Sequence, residues 1–75
     1  MEIKRPLDAL NEAKGKKVLV ELKNKQVLSG TLIAFDIHIN IVLDDVTEME
    51  DGQPKRQLGR VFVRGDTIIT ISPGE

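Results

Sequence analysis

From Lys17 onward, apolar residues recur at every second position, and this pattern limits the fold more than any other feature of the chain. The first such run places Val18, Val20 and Leu22 on one side. A period of two is typical of a β-strand, in which successive side chains point to opposite faces. Because similar short runs follow almost to the end of the chain, we expect a mainly β protein.

The remaining strands are separated by turn-forming residues. We expect strands at 17–23, 26–36, 40–46, 58–64 and 67–72. Gly30 lies in the middle of the long second strand, where glycine typically permits a bend or a bulge. The polar segment 48–57 is predicted to be a loop. These elements predict a strongly bent, five-stranded antiparallel sheet of half-open barrel form.

A short helix is predicted ahead of the sheet, at residues 6–14. Pro6 suits the first turn, where its missing N–H is no loss. Leu7 and Leu10 fall on one face, and Gly15 fits the position just past the helix end. We expect a helix of this length to be stable only when it is docked on the sheet.

The chain has 75 residues, which predicts a single domain over residues 1–75. Domains this small often gain stability from disulfides, a metal or association with other chains. With no cysteine and one histidine, association with other chains is the remaining source of added stability. The sequence shows no signal peptide and no apolar stretch long enough to span a bilayer, so we expect no membrane contact and a cytoplasmic location.

Composition limits how the chain could bind nucleic acid. The formal net charge is −1, so there is no broad basic face. With two phenylalanines, no tyrosine and no tryptophan, bases cannot be stacked on a series of aromatic rings. Any RNA contact must therefore be local.

The last two strands carry a signal for assembly. Segments 61–63 and 68–71 are apolar at nearly every position, so both strand faces favour burial. An apolar edge strand without proline or inward charge invites pairing with another chain. Identical subunits joined head to tail form a ring when the rotation closes, and the sequence therefore predicts a ring.

Two segments resemble the two sequence motifs of the Sm-like protein family. Residues 30–45 (GTLIAFDIHINIVLDD) resemble the first motif, and residues 58–68 (LGRVFVRGDTI) resemble the second. Ile39 replaces a frequent methionine, and Asp66 replaces a frequent asparagine in a variant associated with archaeal members. The resemblance implies the Sm fold, an open SH3-like barrel, with motif regions at about 17–46 and 57–72. It also implies a homo-oligomeric ring, with seven subunits expected and six or eight as alternatives.

The resemblance implies that the turns at 36–40 and 64–66 lie side by side at the pore of the ring and bind single-stranded, uridine-rich RNA. His38 and Arg64 offer planar groups that can stack on a splayed base. Asn40 carries a donor and an acceptor that complement a uracil edge. Gly65 is expected to let its backbone approach the base closely or to adopt a positive φ, and Asp66 to orient its neighbours.

Simpler interpretations stand beside these. Asp36 is better explained as a cap of its turn than as an RNA contact, and Asn40 could serve the same purpose. Phe35 and Phe62 are more often core residues. The resemblance to some archaeal members also suggests a second RNA surface formed by Arg5 and Phe35.

Three functions are compared. The favoured one is a non-catalytic ring that binds RNA and acts in RNA processing or as an RNA chaperone; the alternative is a ring-forming scaffold whose main partner is protein. An enzyme using Asp36, His38 and Asp66 is disfavoured because no serine or cysteine nucleophile accompanies the histidine. We expect no catalytic residue, metal or cofactor.

Overall fold

One helix and five strands follow each other in the predicted order. The computed structural model describes residues 5–74. In chain order these form α1 (Pro6–Ala13), β1 (Lys17–Leu22), β2 (Val27–Phe35), β3 (Ile41–Glu50), β4 (Gln53–Val63), a single 3-10 turn (Gly65–Thr67) and β5 (Ile68–Pro73). Within this part of the chain, no helix has the length and apolar character needed to cross a membrane.

The five strands form one antiparallel sheet in the order β4-β3-β2-β1-β5. The first four strands are joined to their chain neighbours by short turns, while β5 pairs with β1. The sheet therefore ends at β4 and β5, the two strands whose apolar character indicated assembly.

Gly30 allows the sheet to bend. The pairing of β2 with β3 shifts register between Ser29 and Thr31, on either side of this glycine. A Cβ atom at Gly30 would lie 3.0 Å from the Asp44 carbonyl oxygen and 3.0 Å from a methyl of Val46. The absence of a side chain thus lets β3 approach closely, as the sequence predicts for this position.

The core lies inside the bent sheet, and the helix packs at its margin. The buried side chains of the core are Val18, Val20, Leu22, Leu28, Leu32, Ile41, Leu43, Val46 and Val63. Leu10 and Ala13 of α1 are partly buried against this cluster. Gly15, just past the helix, has a φ of +85° and donates its N–H to the Leu32 carbonyl at 2.7 Å. The predicted role of Gly15 at the helix end is therefore confirmed.

The predicted loop at 48–57 is wrong. β3 continues to Glu50 and β4 begins at Gln53, so that only Asp51 and Gly52 lie between paired strands. Both have positive φ, 53° and 78°, which is the geometry of a type I′ hairpin turn. An Asp-Gly pair is a strong signal for this turn, and the polar composition around it conceals a regular hairpin.

The assignment of Phe62 to the core is also wrong, since this side chain is 76% exposed. Val63 is buried and Val61 is partly buried against the core. Because side chains alternate along a strand, Phe62 lies on the opposite face of the edge strand β4. Phe35, by contrast, is partly buried against the core.

Candidate nucleic-acid interface

Residues 36–40 join β2 to β3, and three of them, 37–39, form a hairpin loop that carries the predicted histidine. The Ile39 N–H donates to the Asp36 carbonyl at 3.0 Å, and the Asp36 N–H donates to the Asn40 carbonyl at 3.1 Å. The third loop residue, Ile39, has a φ of +62°. These features define a three-residue hairpin loop whose last residue is left-handed. His38 is thereby placed at an exposed position in a loop of fixed shape.

The Asp36 carboxylate caps this loop by accepting hydrogen bonds from it. Its Oδ1 accepts hydrogen bonds from the backbone N–H groups of His38 at 2.8 Å and Asn40 at 3.1 Å. Its Oδ2 accepts one from the Asn40 side-chain amide at 3.1 Å. The Asn40 amide, followed by the two backbone donors, lowers the pKa of Asp36 below its ordinary value. Asp36 thus has the geometry of a turn cap.

Ile39 adopts a backbone conformation that β-branched residues rarely tolerate. Strain of this kind costs roughly 1–3 kcal/mol and persists when surrounding contacts hold the residue in place. The Ile39 side chain is partly buried against the core, and its N–H is bonded within the loop. Core packing therefore helps to fix the residue between His38 and Asn40.

The second turn, between β4 and β5, is built around Arg64. The Arg64 carbonyl accepts hydrogen bonds from the Thr67 N–H at 3.0 Å and the Thr67 hydroxyl at 2.7 Å. The Arg64 guanidinium contacts the Asp66 carboxylate at 3.2 Å, and both side chains are largely exposed. Asp66 thus lies where it can orient the guanidinium, although an exposed pair of this kind contributes little stability.

Gly65 permits the two turns to touch. A Cβ atom there would overlap the His38 carbonyl oxygen and lie 2.9 Å from the Ile39 carbonyl carbon. The alternative expectation, a positive φ, is wrong for this glycine, which lies in the 3-10 turn. Its role is close approach to the neighbouring backbone rather than an unusual conformation.

Asn40 joins the two turns through its side chain. Its Oδ1 accepts a hydrogen bond from the Gly65 N–H at 2.8 Å, while its Nδ2 donates to Asp36. An amide group has two N–H donors and two oxygen lone pairs. One of each is thus used internally, and one of each is left to meet a ligand.

A groove of about 350 Å³ lies beside the joined turns. Asp36, Asn40 and Arg64 line its polar part, and Phe35 and Phe62 are among its apolar lining residues. The groove therefore connects the predicted binding residues with the exposed edge strand β4.

The β1–β2 loop reaches the same region, which reasoning from the sequence did not predict. The Lys23 N–H donates to the Thr67 carbonyl at 2.8 Å, so this loop adjoins the turn that carries Arg64. Lys23 lies outside the segment 30–45 that carries the first motif, and only a pairing between distant loops could have indicated its position. We refer to residues 23–25, 36–40 and 64–67 together as the loop surface.

The second RNA surface predicted at Arg5 and Phe35 has less support from geometry. Arg5 lies just before α1 and contacts Asp8 at 3.6 Å, with an exposed side chain. Phe35 is partly buried against the core at the end of β2. This second surface stays a prediction. Across residues 5–74, no cluster of three or more histidine, cysteine, aspartate or glutamate side chains is placed to hold a metal ion.

Known proteins resemble this chain in sequence and in fold. Residues 8–73 match the family model described as the LSM domain. An Sm-like protein of Thermococcus sibiricus is 45% identical over 71 residues, which cover 95% of this chain and 93% of that protein.

Solved structures of archaeal Sm proteins superimpose closely. A Pyrococcus abyssi Sm protein in complex with a uridine heptamer matches with a TM-score of 0.88 and 41% identity, over 93% of this chain and 99% of that one. The Pyrobaculum aerophilum SmAP1 heptamer matches with a TM-score of 0.86 and 35% identity, over 96% of each chain. The predicted Sm fold is therefore confirmed.

Proposed function

Because this chain belongs to the LSM-domain family of Sm-like proteins, we propose that it forms a homo-oligomeric ring that binds single-stranded, uridine-rich RNA at its pore. The observation that carries the proposal is the hydrogen bond from the Gly65 N–H to Asn40 Oδ1. This bond holds the His38 loop and the Arg64 turn together as one surface.

The chemistry of these residues suits a single uracil base. The exposed imidazole of His38 and guanidinium of Arg64 provide planar groups for stacking. Between them, the free N–H and lone pair of Asn40 complement a uracil carbonyl and the N3–H. Gly65 and Asp66 complete the contact region, and Asp36 supports it from behind by capping the loop. The 41% identical Pyrococcus abyssi relative is in complex with a uridine heptamer, which supports uridine as the ligand.

Ring assembly follows from the two free sheet edges. Phe62 on β4 is 76% exposed and Ile69 on β5 is 55% exposed. Pairing β4 of one subunit with β5 of the next would cover both side chains and satisfy the unpaired backbone groups. Such head-to-tail contacts close into a ring. We propose seven subunits, in line with the heptamer of the Pyrobaculum aerophilum relative.

We further propose that the ring is non-catalytic and acts in the cytoplasm, in RNA processing or as an RNA chaperone. The Asp36 carboxylate accepts three hydrogen bonds within its own loop, and the Asp66 carboxylate contacts Arg64. Both carboxylates therefore serve to hold the binding surface in shape.

The test is binding of oligouridine and oligoadenine at two salt concentrations, with the assembly mass measured by light scattering. We expect a ring that prefers oligouridine and whose affinity falls as salt rises. His38→Ala and Arg64→Ala should each weaken oligouridine binding and leave the mass unchanged. A ring that binds neither RNA would refute the proposed RNA binding, and loss of the ring in either variant would show that its residue serves assembly.

A further inference from the structure

We propose that Lys23 is a further RNA-contacting residue, which binds the phosphate backbone next to the base-binding residues. This inference rests on the RNA binding proposed above. Lys23 lies outside the two quoted motif segments, 30–45 and 58–68, and its assignment comes from charge and from the contacts of the β1–β2 loop.

The predicted base site has one fixed cation, Arg64, and more than one carboxylate, so another cation is needed to neutralise the RNA phosphates. Two carboxylates, Asp36 and Asp66, accompany the single guanidinium of Arg64, and Asp66 contacts that guanidinium directly. The two carboxylates outnumber the one guanidinium. RNA brings a phosphate with every nucleotide, and affinity for single strands depends on cations that neutralise these phosphates. Stacking and base reading therefore leave the phosphates without a counter-charge.

Lys23 is held beside this group by the backbone. Its N–H donates to the Thr67 carbonyl at 2.8 Å, and the Thr67 N–H donates to the Arg64 carbonyl at 3.0 Å. Two hydrogen bonds thus connect Lys23 to the turn that presents Arg64. The loop itself is fixed by a bond from the Lys25 N–H to the Leu22 carbonyl at 2.9 Å. Lys23 is therefore a defined part of the loop surface.

The ammonium group of Lys23 is free to meet a ligand. The residue is exposed, and within residues 5–74 its side chain forms no ion pair. In the same part of the chain, Lys55, Arg56, Arg60 and Arg64 each contact a carboxylate. A lysine ammonium on its flexible stem acts as a point charge, which suits a phosphate whose position varies between nucleotides.

The roles of Lys23 and Asn40 should differ in kind. A phosphate contact contributes affinity and salt dependence but no direct sequence information, whereas a base contact specifies the nucleotide. Lys23 is thus expected to act equally on all RNA sequences that reach the pore.

The experiment compares the full-length wild-type protein with Lys23→Gln, which removes the charge and keeps much of the side-chain length. Oligouridine affinity is measured over a series of salt concentrations. We expect weaker binding at low salt, with the curves converging as salt rises. The slope of log affinity against log salt should become shallower by about 0.7 for each phosphate that is no longer neutralised. The ratio of oligouridine to oligoadenine affinity should not change.

Lys14→Gln is the matched control, because it removes the same charge from an exposed residue just before β1, whereas Lys23 lies just after it. Lys14→Gln should keep the wild-type slope, as should Lys23→Arg. Equal slopes for Lys23→Gln and wild type, or an equal change of slope in Lys14→Gln, would overturn the assignment of Lys23. Failure of the wild-type ring to bind RNA would instead refute the proposed function itself.

Discussion

The side-chain Oδ1 of Asn40 accepts a hydrogen bond from the backbone N–H of Gly65, 25 positions further along the chain, at 2.8 Å. This bond joins the two family motifs through their most polar turns. It also gives Asn40 two functions, since the same amide holds the surface together and has one donor and one lone pair left over.

Replacing Asn40 by alanine should therefore reduce base preference. In Asn40→Ala, the ratio of oligouridine to oligoadenine affinity should fall by the equivalent of about 1–3 kcal/mol, as expected when a specific base contact is removed. The measurement is a pair of binding titrations on ring-sized protein. Asn24→Ala is the control, because Asn24 Oδ1 likewise accepts a backbone N–H within its loop, from Gln26 at 2.9 Å.

Asn24→Ala should leave the base preference at the wild-type value. If Asn40→Ala keeps that value too, Asn40 serves only to join the turns. A fall in both variants would indicate that general loosening of the loops, and not the removal of a base contact, lowers the preference.

The β1–β2 and β2–β3 loops permit a paired test of backbone strain. Each loop has three residues between a hydrogen-bonded pair, Leu22 with Gln26 and Asp36 with Asn40. In each, the last of the three has a positive φ, 71° for Lys25 and 62° for Ile39. Left-handed conformations cost L-residues roughly 1–2 kcal/mol, and glycine avoids most of this. Lys25 is exposed, whereas Ile39 is partly buried against the core.

Lys25→Gly should therefore leave the free energy of unfolding unchanged or raise it by up to about 1 kcal/mol. Ile39→Gly should lower it, because the packing of a partly buried side chain is lost together with the strain. Urea unfolding at fixed protein concentration measures both. An equal gain in the two variants would mean that Ile39 contributes no packing to its loop.

The sequence predicts features that depend on local patterns. Strand alternation predicts the five-stranded sheet, and the glycine at the end of α1 lies where the capping rule expects it, with a φ of +85° at Gly15. The two apolar strands predicted to need partners are the sheet edges. Each of these features is encoded in a few neighbouring residues, so a single sequence is sufficient to find them.

The family resemblance predicts that the turns at 36–40 and 64–66 meet, but other features that depend on distant contacts could not be predicted. The bond between Lys23 and Thr67 joins loops with no common motif, and the steric need for Gly65 arises from the backbone of His38. Intrinsic preference places Phe62 in the core because phenylalanine is usually buried, yet its position on an edge strand exposes it. For these residues the contacts and the exposure of the side chain are determined by the fold and not by the intrinsic preference of the residue type.

Charging the sheet edges should disassemble the ring without unfolding the subunit. Phe62→Lys and Ile69→Lys each place an ammonium on an exposed apolar residue of an edge strand. Light scattering should report a mass near that of one subunit, while circular dichroism keeps its β signal. Ile37→Lys is the control, because Ile37 is 73% exposed but lies in the β2–β3 loop.

Ile37→Lys should keep the full assembly mass. A ring that survives both edge substitutions would show that β4 and β5 are not the strands that join the subunits. Loss of the β signal would show that these side chains support the subunit itself.

Acid should weaken the sheet through Glu48. This nearly buried carboxylate on β3 contacts Arg56 Nε on β4 at 2.7 Å, and the hydrogen bond from Arg56 is the main cause that lowers the pKa of Glu48. A pKa lower in the folded than in the unfolded chain means that Glu48 contributes stability above its ordinary pKa of 4.5. That contribution is lost as the pH falls through the folded pKa.

Glu48→Gln should therefore be less stable than the wild type at pH 7, and the difference should shrink as the pH falls below about 4. Urea midpoints between pH 7 and pH 3, at one protein concentration, measure it. Glu50→Gln is the control on the same strand, since its exposed contact with Lys55 at 3.6 Å should contribute little at any pH. If the Glu48→Gln and wild-type midpoints stay equally far apart from pH 7 to pH 3, loss of packing explains the variant and the ion pair with Arg56 contributes no pH-dependent stability.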